Sequence, residues 1–258
     1  MYPGRDMDKG GNISGARAPK FVRPKGSLIN RFGRRIRHPL SRFFAQQSTI
    51  ETTPVIAAEQ FAQLSPLLQK FSEMRREALD LLQEREAIPP LGEMSPDHRR
   101  IASDERWKSF FLHGYGYDAA DNQKRCPVTS QALAGMPGLV TAFVSIMEPG
   151  TYVPPHRGLT TAWVNCHLPL VLPKGEGRCE IAIDGQLHQW REGEWLVFDD
   201  TYTHEVWNET SEPRVVLLIQ LRRPMRFAGR TVASVIFHLL RHSNFVQDVR
   251  RKLTGNPS

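Results

Sequence analysis

The spacing of apolar positions changes near Trp107. Before it, Phe61, Leu64, Leu67, Leu68, Phe71, Met74, Leu79, Leu81 and Leu82 recur at intervals of three and four, which predicts helix over 57–86. Residues 87–105 read as a polar, proline-containing connection. After Trp107, short β-branched and aromatic runs alternate with Gly/Pro turns, as in an all-β core. The runs at 140–147, 162–172, 178–183, 187–190, 195–198 and 214–221 predict strands. Asp184-Gly185 between two of them signals a two-residue hairpin, and Pro213 after the polar run 208–212 marks another turn. Farther on, Val232, Val235, Ile236, Leu239 and Leu240 share one face flanked by arginines, so 227–253 predicts a closing helix. That helix either packs on the domain or lies at a membrane surface. No internal repeat is present.

The first residues have a different character. Residues 1–27 contain many Gly, Pro, Lys and Arg without periodicity and are expected to be disordered. Residues 28–44 mix arginines with large apolar side chains, as an interfacial segment would, and Pro39 limits any helix there. The expected organisation is a basic tail over 1–44, a helical lead-in over 45–106, a β domain over 107–224 and a basic helix over 225–258.

Composition narrows the compartment. The 258 residues hold only Cys126, Cys166 and Cys179 and no CxxC, which is no disulfide framework and points to a reducing compartment. No stretch approaches the roughly 18 apolar residues that span a bilayer, and the basic N-terminus has no apolar core of a signal peptide. A cytoplasmic protein is expected. The net charge of +7 is uneven: residues 1–44 carry eleven Lys/Arg against two Asp, and residues 222–258 carry eight Lys/Arg against one Asp. The segment between is therefore acidic. That excludes a uniformly basic nucleic-acid binder and suits either an anionic membrane face, on the inner side, or solvated basic tails.

The candidate chemistry sits in the β region. His156 ends Pro154-Pro155-His156, and His204 ends Phe198-Asp-Asp-Thr-Tyr-Thr-His204. Imidazole is the commonest side-chain metal ligand, and two histidines with open positions suit a redox-active ferrous ion. The usual third ligand, a carboxylate two residues after the first histidine, is here Gly158. Water, Asp199 or Asp200 would have to fill that position, and a missing carboxylate keeps halogenation open on chemistry alone. Arg214 offers a fixed cation for a dicarboxylate. Taken singly, each of these residues also has a purely structural reading: a satisfied core histidine, a salt-bridge arginine, aspartates bracing a loop.

Several motifs occur together and in order: Trp107 with Phe110, Ser145-Ile146-Met147, Pro149-Gly150, Pro155-His156-x-Gly158, His167-Leu168, Trp190-x-x-Gly193, Phe198-Asp199-Asp200, His204-Glu205-Val206-Trp207 and Arg214. On these, residues 107–224 resemble the aspartyl/asparaginyl β-hydroxylase family of iron(II)- and 2-oxoglutarate-dependent oxygenases. The resemblance implies a mainly β, double-stranded β-helix (jelly-roll, cupin-like) fold with flanking N- and C-terminal helices. It implies that His156 and His204 bind Fe(II), that a glycine at 158 is normal, and that Arg214 binds the distal carboxylate of 2-oxoglutarate. Ser145, Met147 and His167 match residues lining that co-substrate, and O2 is the oxidant. Two departures stand out. Asn165 replaces an arginine that in peptidyl hydroxylases helps hold the substrate's acidic side chain, with Arg157 and Arg178 as substitute cations, and Pro169 replaces a glycine. With the basic tails, the Asn165 change favours a lipid-linked acyl chain, hydroxylated at its 2-position, over a peptidyl or free Asp/Asn substrate. A metal-binding β-sandwich without catalysis is the alternative of another class.

Overall fold

Two antiparallel sheets face each other across an apolar interior, and helices cover the outer face of the larger sheet. The computed structural model describes residues 39–94, 101–102, 105–243, 246–247 and 250–251. A helix over 39–47 (α1) is followed by β1 (Val55–Ile56), α2 (Ser65–Leu68), α3 (Phe71–Gln83) and α4 (Leu91–Met94). Next come β2 (Trp107–Gly114), β3 (Tyr117–Asp118), α5 (Ala120–Arg125), α6 (Pro127–Leu133), β4 (Leu139–Met147) and β5 (Thr151–His156). The chain continues through β6 (Trp163–Val171), β7 (Cys179–Ile183), β8 (Gln186–Gln189), β9 (Leu196–Phe198), β10 (His204–Asn208), β11 (Arg214–Arg222) and α7 (Phe227–Arg241). The seven-stranded sheet runs β1-β9-β6-β11-β4-β2-β3 and the four-stranded sheet β5-β10-β7-β8. This is the expected jelly-roll with flanking helices.

The period-2 pattern of each strand divides its residues between two cores. On β11, Val215, Leu217, Ile219 and Leu221 point outward and meet Leu64, Leu67, Met74, Leu81 and Leu133 from the helical elements. Leu218 points inward with Trp107, Phe111, Phe143, Met147, Ile181, Phe198 and Val206. The same parity sends Val164, Cys166 and Leu168 of β6 outward and leaves Asn165 and His167 inside.

Three expectations are corrected. Helix over 57–86 is broken into 3-10 turns at Ala58–Gln60 and Ala62–Leu64, then α2 and α3. Buried Phe61, Leu64 and Leu67 are spaced by three, which eclipses on a 3-10 helix, and only Met74, Ala78, Leu81 and Leu82 keep α-helical spacing. The polar connection 87–105 is not a passive linker: α4 puts Leu91 and Met94 into the inner core beside Ile101 and Ala102. Of the interfacial segment 28–44, residues 28–38 lie outside the described residues, while α1 fully buries Phe44 against Val140, Trp163 and Met225.

The expected hairpin is present, with Asp184 at φ 50 and Gly185 at φ 79, as a tight right-twisting turn requires. β5 carries two prolines and so reads poorly as a strand. It is tolerated as an edge strand whose pairing with β10 is interrupted at these prolines, between the His204–His156 and Val206–Val153 pairs.

Candidate active site

β5 and β10 put His156 and His204 directly opposite each other, with ring centroids 4.0 Å apart. Each imidazole is fixed by its own chain: His156 Nδ1 lies 2.9 Å from the Pro154 carbonyl and His204 Nδ1 lies 3.0 Å from the Tyr202 carbonyl. A carbonyl only accepts, so in both rings Nδ1 carries a proton, and the tautomer this selects has its lone pair on Nε2. Burial, and then the neighbouring His156, lowers the His204 pKa to about 4, so it is neutral at ordinary pH. An imidazole held at Nδ1 by a backbone carbonyl is oriented to offer Nε2 to a metal.

Gly158 and Asp200 complete this corner. Gly158 N–H donates to the Asp200 carbonyl at 2.6 Å, and a Cβ on Gly158 would lie 1.9 Å from Asp200 Cγ. The Asp200 carboxylate therefore fills the space a side chain at 158 would need, and Asn165 Nδ2 approaches its Oδ2 at 3.4 Å. Asp199 is engaged elsewhere. Its Oδ2 takes a 2.6 Å ion pair from buried Arg223, and its Oδ1 accepts from the N–H and hydroxyl of Thr201. Arg223 also donates to the Thr161 and Glu51 carbonyls. This makes Asp199 a brace for the loop before His204. Among the described residues no group of three His, Cys, Asp or Glu side chains assembles.

A second group of buried polar side chains surrounds Arg214. Arg214 opens β11, level with Met147 of β4, and is 2 % exposed. Its Nη2 donates to Ser145 Oγ at 3.2 Å, which also accepts the Trp107 indole N–H at 3.0 Å. Its guanidinium lies 4.4 Å from the Trp190 ring. Burial pulls its pKa down to about 10, with Cys179 pushing the other way, and it has no ion-pair partner among the described residues. Arg214 Nε, both ring nitrogens of His167 and the Trp190 indole N–H have no hydrogen-bond partner among the described residues. His167 stacks on Trp190 at 6.1 Å and meets Phe198 edge-on at 5.0 Å, and burial, followed by Arg214, holds its pKa well below the usual histidine value. Buried polar groups are ordinarily satisfied, and a buried cation without a counter-ion is costly. Together they match an anionic guest with several acceptor oxygens. The residues present thus fit a divalent metal at the histidines and a carboxylate at Arg214.

The family model for aspartyl/asparaginyl beta-hydroxylase matches residues 69–224, more than half of the chain. The chain belongs to the aspartyl/asparaginyl β-hydroxylase family. It is 35% identical over 195 residues to an ornithine lipid ester-linked acyl 2-hydroxylase of Rhizobium tropici, covering 76% of this chain and 69% of that protein. It is 33% identical over 127 residues to aspartate beta-hydroxylase domain-containing protein 2 of Xenopus tropicalis, covering 46% of this chain and 34% of that protein. It is 34% identical over 134 residues to the human aspartyl/asparaginyl beta-hydroxylase, covering 50% of this chain and 17% of that protein.

In this hydroxylase-family barrel, His156, His204, Arg214, Ser145, Met147 and His167 all line one interior. Arg178 does not: it stacks on the Trp207 ring at 3.4 Å and pairs with Glu180, with Tyr152 stacked on Trp207 and bonded to Glu205. That cluster occupies the outer face of the four-stranded sheet. Arg157 is tied to Thr203 Oγ1 at 2.7 Å. Trp190 and Arg223 escaped sequence reasoning as individual residues. Trp190 stood only as part of a motif, and Arg223 resembled any other basic residue of the C-terminal segment.

Proposed function

We propose that this chain is an iron(II)- and 2-oxoglutarate-dependent hydroxylase that acts on a membrane lipid acyl chain, with 2-hydroxylation as the outcome. One observation carries the oxygenase part. A buried arginine with no ion-pair partner among the described residues lies in the same barrel interior as two histidines whose Nδ1 atoms are held by backbone carbonyls. A non-catalytic metal-binding sandwich has no use for Arg214 in that position.

His156 and His204 would hold the ferrous ion, and Asp200 would stand beside it through Gly158 and Asn165. Bound iron with 2-oxoglutarate and O2 supplies an oxidant able to hydroxylate an unactivated C–H bond, yielding succinate and CO2. Arg214 would take the distal carboxylate through parallel N–H donors, and Ser145, fixed by Trp107, orients that guanidinium. Trp190 and neutral His167 offer further donors. Met147 and Phe198 give the pocket apolar walls that exclude bulk water.

The substrate reading rests on Asn165. It points into the barrel opposite Gln220 and next to Asp200, an acceptor-rich corner that repels a carboxylate. Arg178, one of the substitute cations, is on the other side of a sheet. The Rhizobium tropici relative, similar over 76% of this chain, is named for an acyl substrate. The human relative supports the alternative reading, a peptidyl or free Asp/Asn substrate.

Anaerobic titration with Fe(II) and 2-oxoglutarate, followed by succinate release, tests the oxygenase reading. Binding of neither, or unchanged turnover by His156→Ala, would overturn it. Lipid profiling of a deletion strain tests the substrate: loss of a lipid carrying one additional oxygen supports acyl hydroxylation, and an unchanged profile shifts the assignment to amino-acid side chains.

A further inference from the structure

We propose that the solvent-facing stripe of α7 is a docking surface for an anionic lipid bilayer. Phe227, Val235 and Leu239 are 76, 55 and 64 % exposed. Their spacing, completed by Thr231, places them on one line along the helix. The helix does not need this line for packing. Its other side already buries Ala233 against Phe44, Val140, Trp163 and Met225, with Val232, Ile236 and Leu240 packed alongside. α7 is thus apolar on two faces, and a shallow concavity on the outer one is lined by α7 residues alone, including Arg230 and His238. Exposed Leu159 and Leu187, by contrast, stand singly and call for no partner.

Charge selects the occupant. Exposed Arg226 and Arg230 sit at the N-terminal end of α7, where the helix dipole disfavours cations. No Asp or Glu occurs between Glu212 and Asp248, so nothing on this helix offsets them. A further copy of the chain on the same stripe would set arginines and histidines against an identical cationic face, whereas anionic headgroups complement it. β11 ends at Arg222, paired with Trp163, two residues past the Gln220–Asn165 pair that lies beside the Asp200 corner of the candidate site, and residues 223–226 join it to α7. The docking element is therefore tied by a short segment to the strand end bordering that site. The benefit for catalysis rests on the acyl-substrate reading, but the docking itself does not.

The test is flotation of the full chain with phosphatidylcholine vesicles, with and without phosphatidylglycerol. Wild-type protein is expected to float only with the anionic vesicles. Phe227→Glu combined with Leu239→Glu, and separately Arg230→Glu, should weaken partition by about tenfold or more, since one basic residue near an anionic surface is worth about fivefold and reversal doubles the change. Leu187→Glu, on β8, should change nothing. Circular dichroism and thermal melts confirm that each variant is folded. No flotation of the wild type, or equal flotation of the double variant, overturns the proposal, the latter assigning the contact to another segment. A dimer in light scattering that the double variant dissolves also overturns it, in favour of self-association. Fe(II) and 2-oxoglutarate binding, measured without vesicles, reports separately on the oxygenase reading.

Discussion

Asp200 carries its carboxylate into the space that a side chain at Gly158 would occupy. The two positions therefore cannot both bear bulk. Gly158→Ala must displace Asp200, and the expected result is a loss of metal affinity of about 10–100-fold, the usual effect of disturbing groups around metal ligands. In an Asp200→Ala background the same change should be nearly silent. Metal titrations of the four proteins in this cycle check the coupling, and a silent Gly158→Ala in the parent chain would refute it.

Arg214 is costly to the ligand-free fold because it is buried without a counter-ion. Arg214→Met should leave urea stability unchanged or raised while 2-oxoglutarate binding loses roughly 2–5 kcal/mol. Equilibrium unfolding and calorimetric titration of the same protein separate the two effects. A variant that loses stability and keeps binding would assign Arg214 a structural role.

Asp199 and Arg223 form a buried pair at 2.6 Å. Removing one partner of such a pair costs about 3–5 kcal/mol, because the other charge stays buried. Asp199→Asn is expected to destabilise the fold by that order in urea unfolding. A change within error would mean that Arg223 is satisfied by its carbonyl partners alone.

Burial pushes the Cys126 thiol up to about 12, and Cys166 is raised still farther by the same cause. A raised pKa leaves little thiolate, the reactive form, at pH 8. Iodoacetamide should therefore spare both in native protein and modify both in denaturant, as read by peptide mass spectrometry. Rapid native labelling of either would contradict the outer-core packing.

Much of the β domain is legible in the chain because its strands alternate or run apolar between clear turns. β11 and β6 are plain in this way, and Asp184-Gly185 marks its own hairpin. β5 is not legible, since Pro154-Pro155 argues against a strand until its edge position is known. The long helix over 57–86 misleads because spacings of three and four both suggest helix in sequence, while Phe61, Leu64 and Leu67 obey only the first. At the site, His156, His204 and Arg214 stand out as residue types, yet their meeting depends on pairings across three strands. The division of labour between Asp199 and Asp200 is invisible without the fold: adjacent residues face opposite ways, and Arg223 finds its partner 24 positions away. Arg178, offered as a substitute cation, precedes β7 and stacks on Trp207 at the outer face of the four-stranded sheet.

The barrel is mechanically lopsided. The wall that carries Arg214, Ser145 and His167 is backed by α3 and α6 through the outer core, whereas both histidines ride on a thin sheet that has an edge strand at one side and Tyr152 and Trp207 on its exterior. Regions with less packing open more readily. The histidine-bearing strands are thus the compliant jaw of the molecule and the arginine wall its fixed one. A metal held between His156 and His204 would rivet β5 to β10, so amide exchange in those two strands, rather than in β11, should slow most when the site fills.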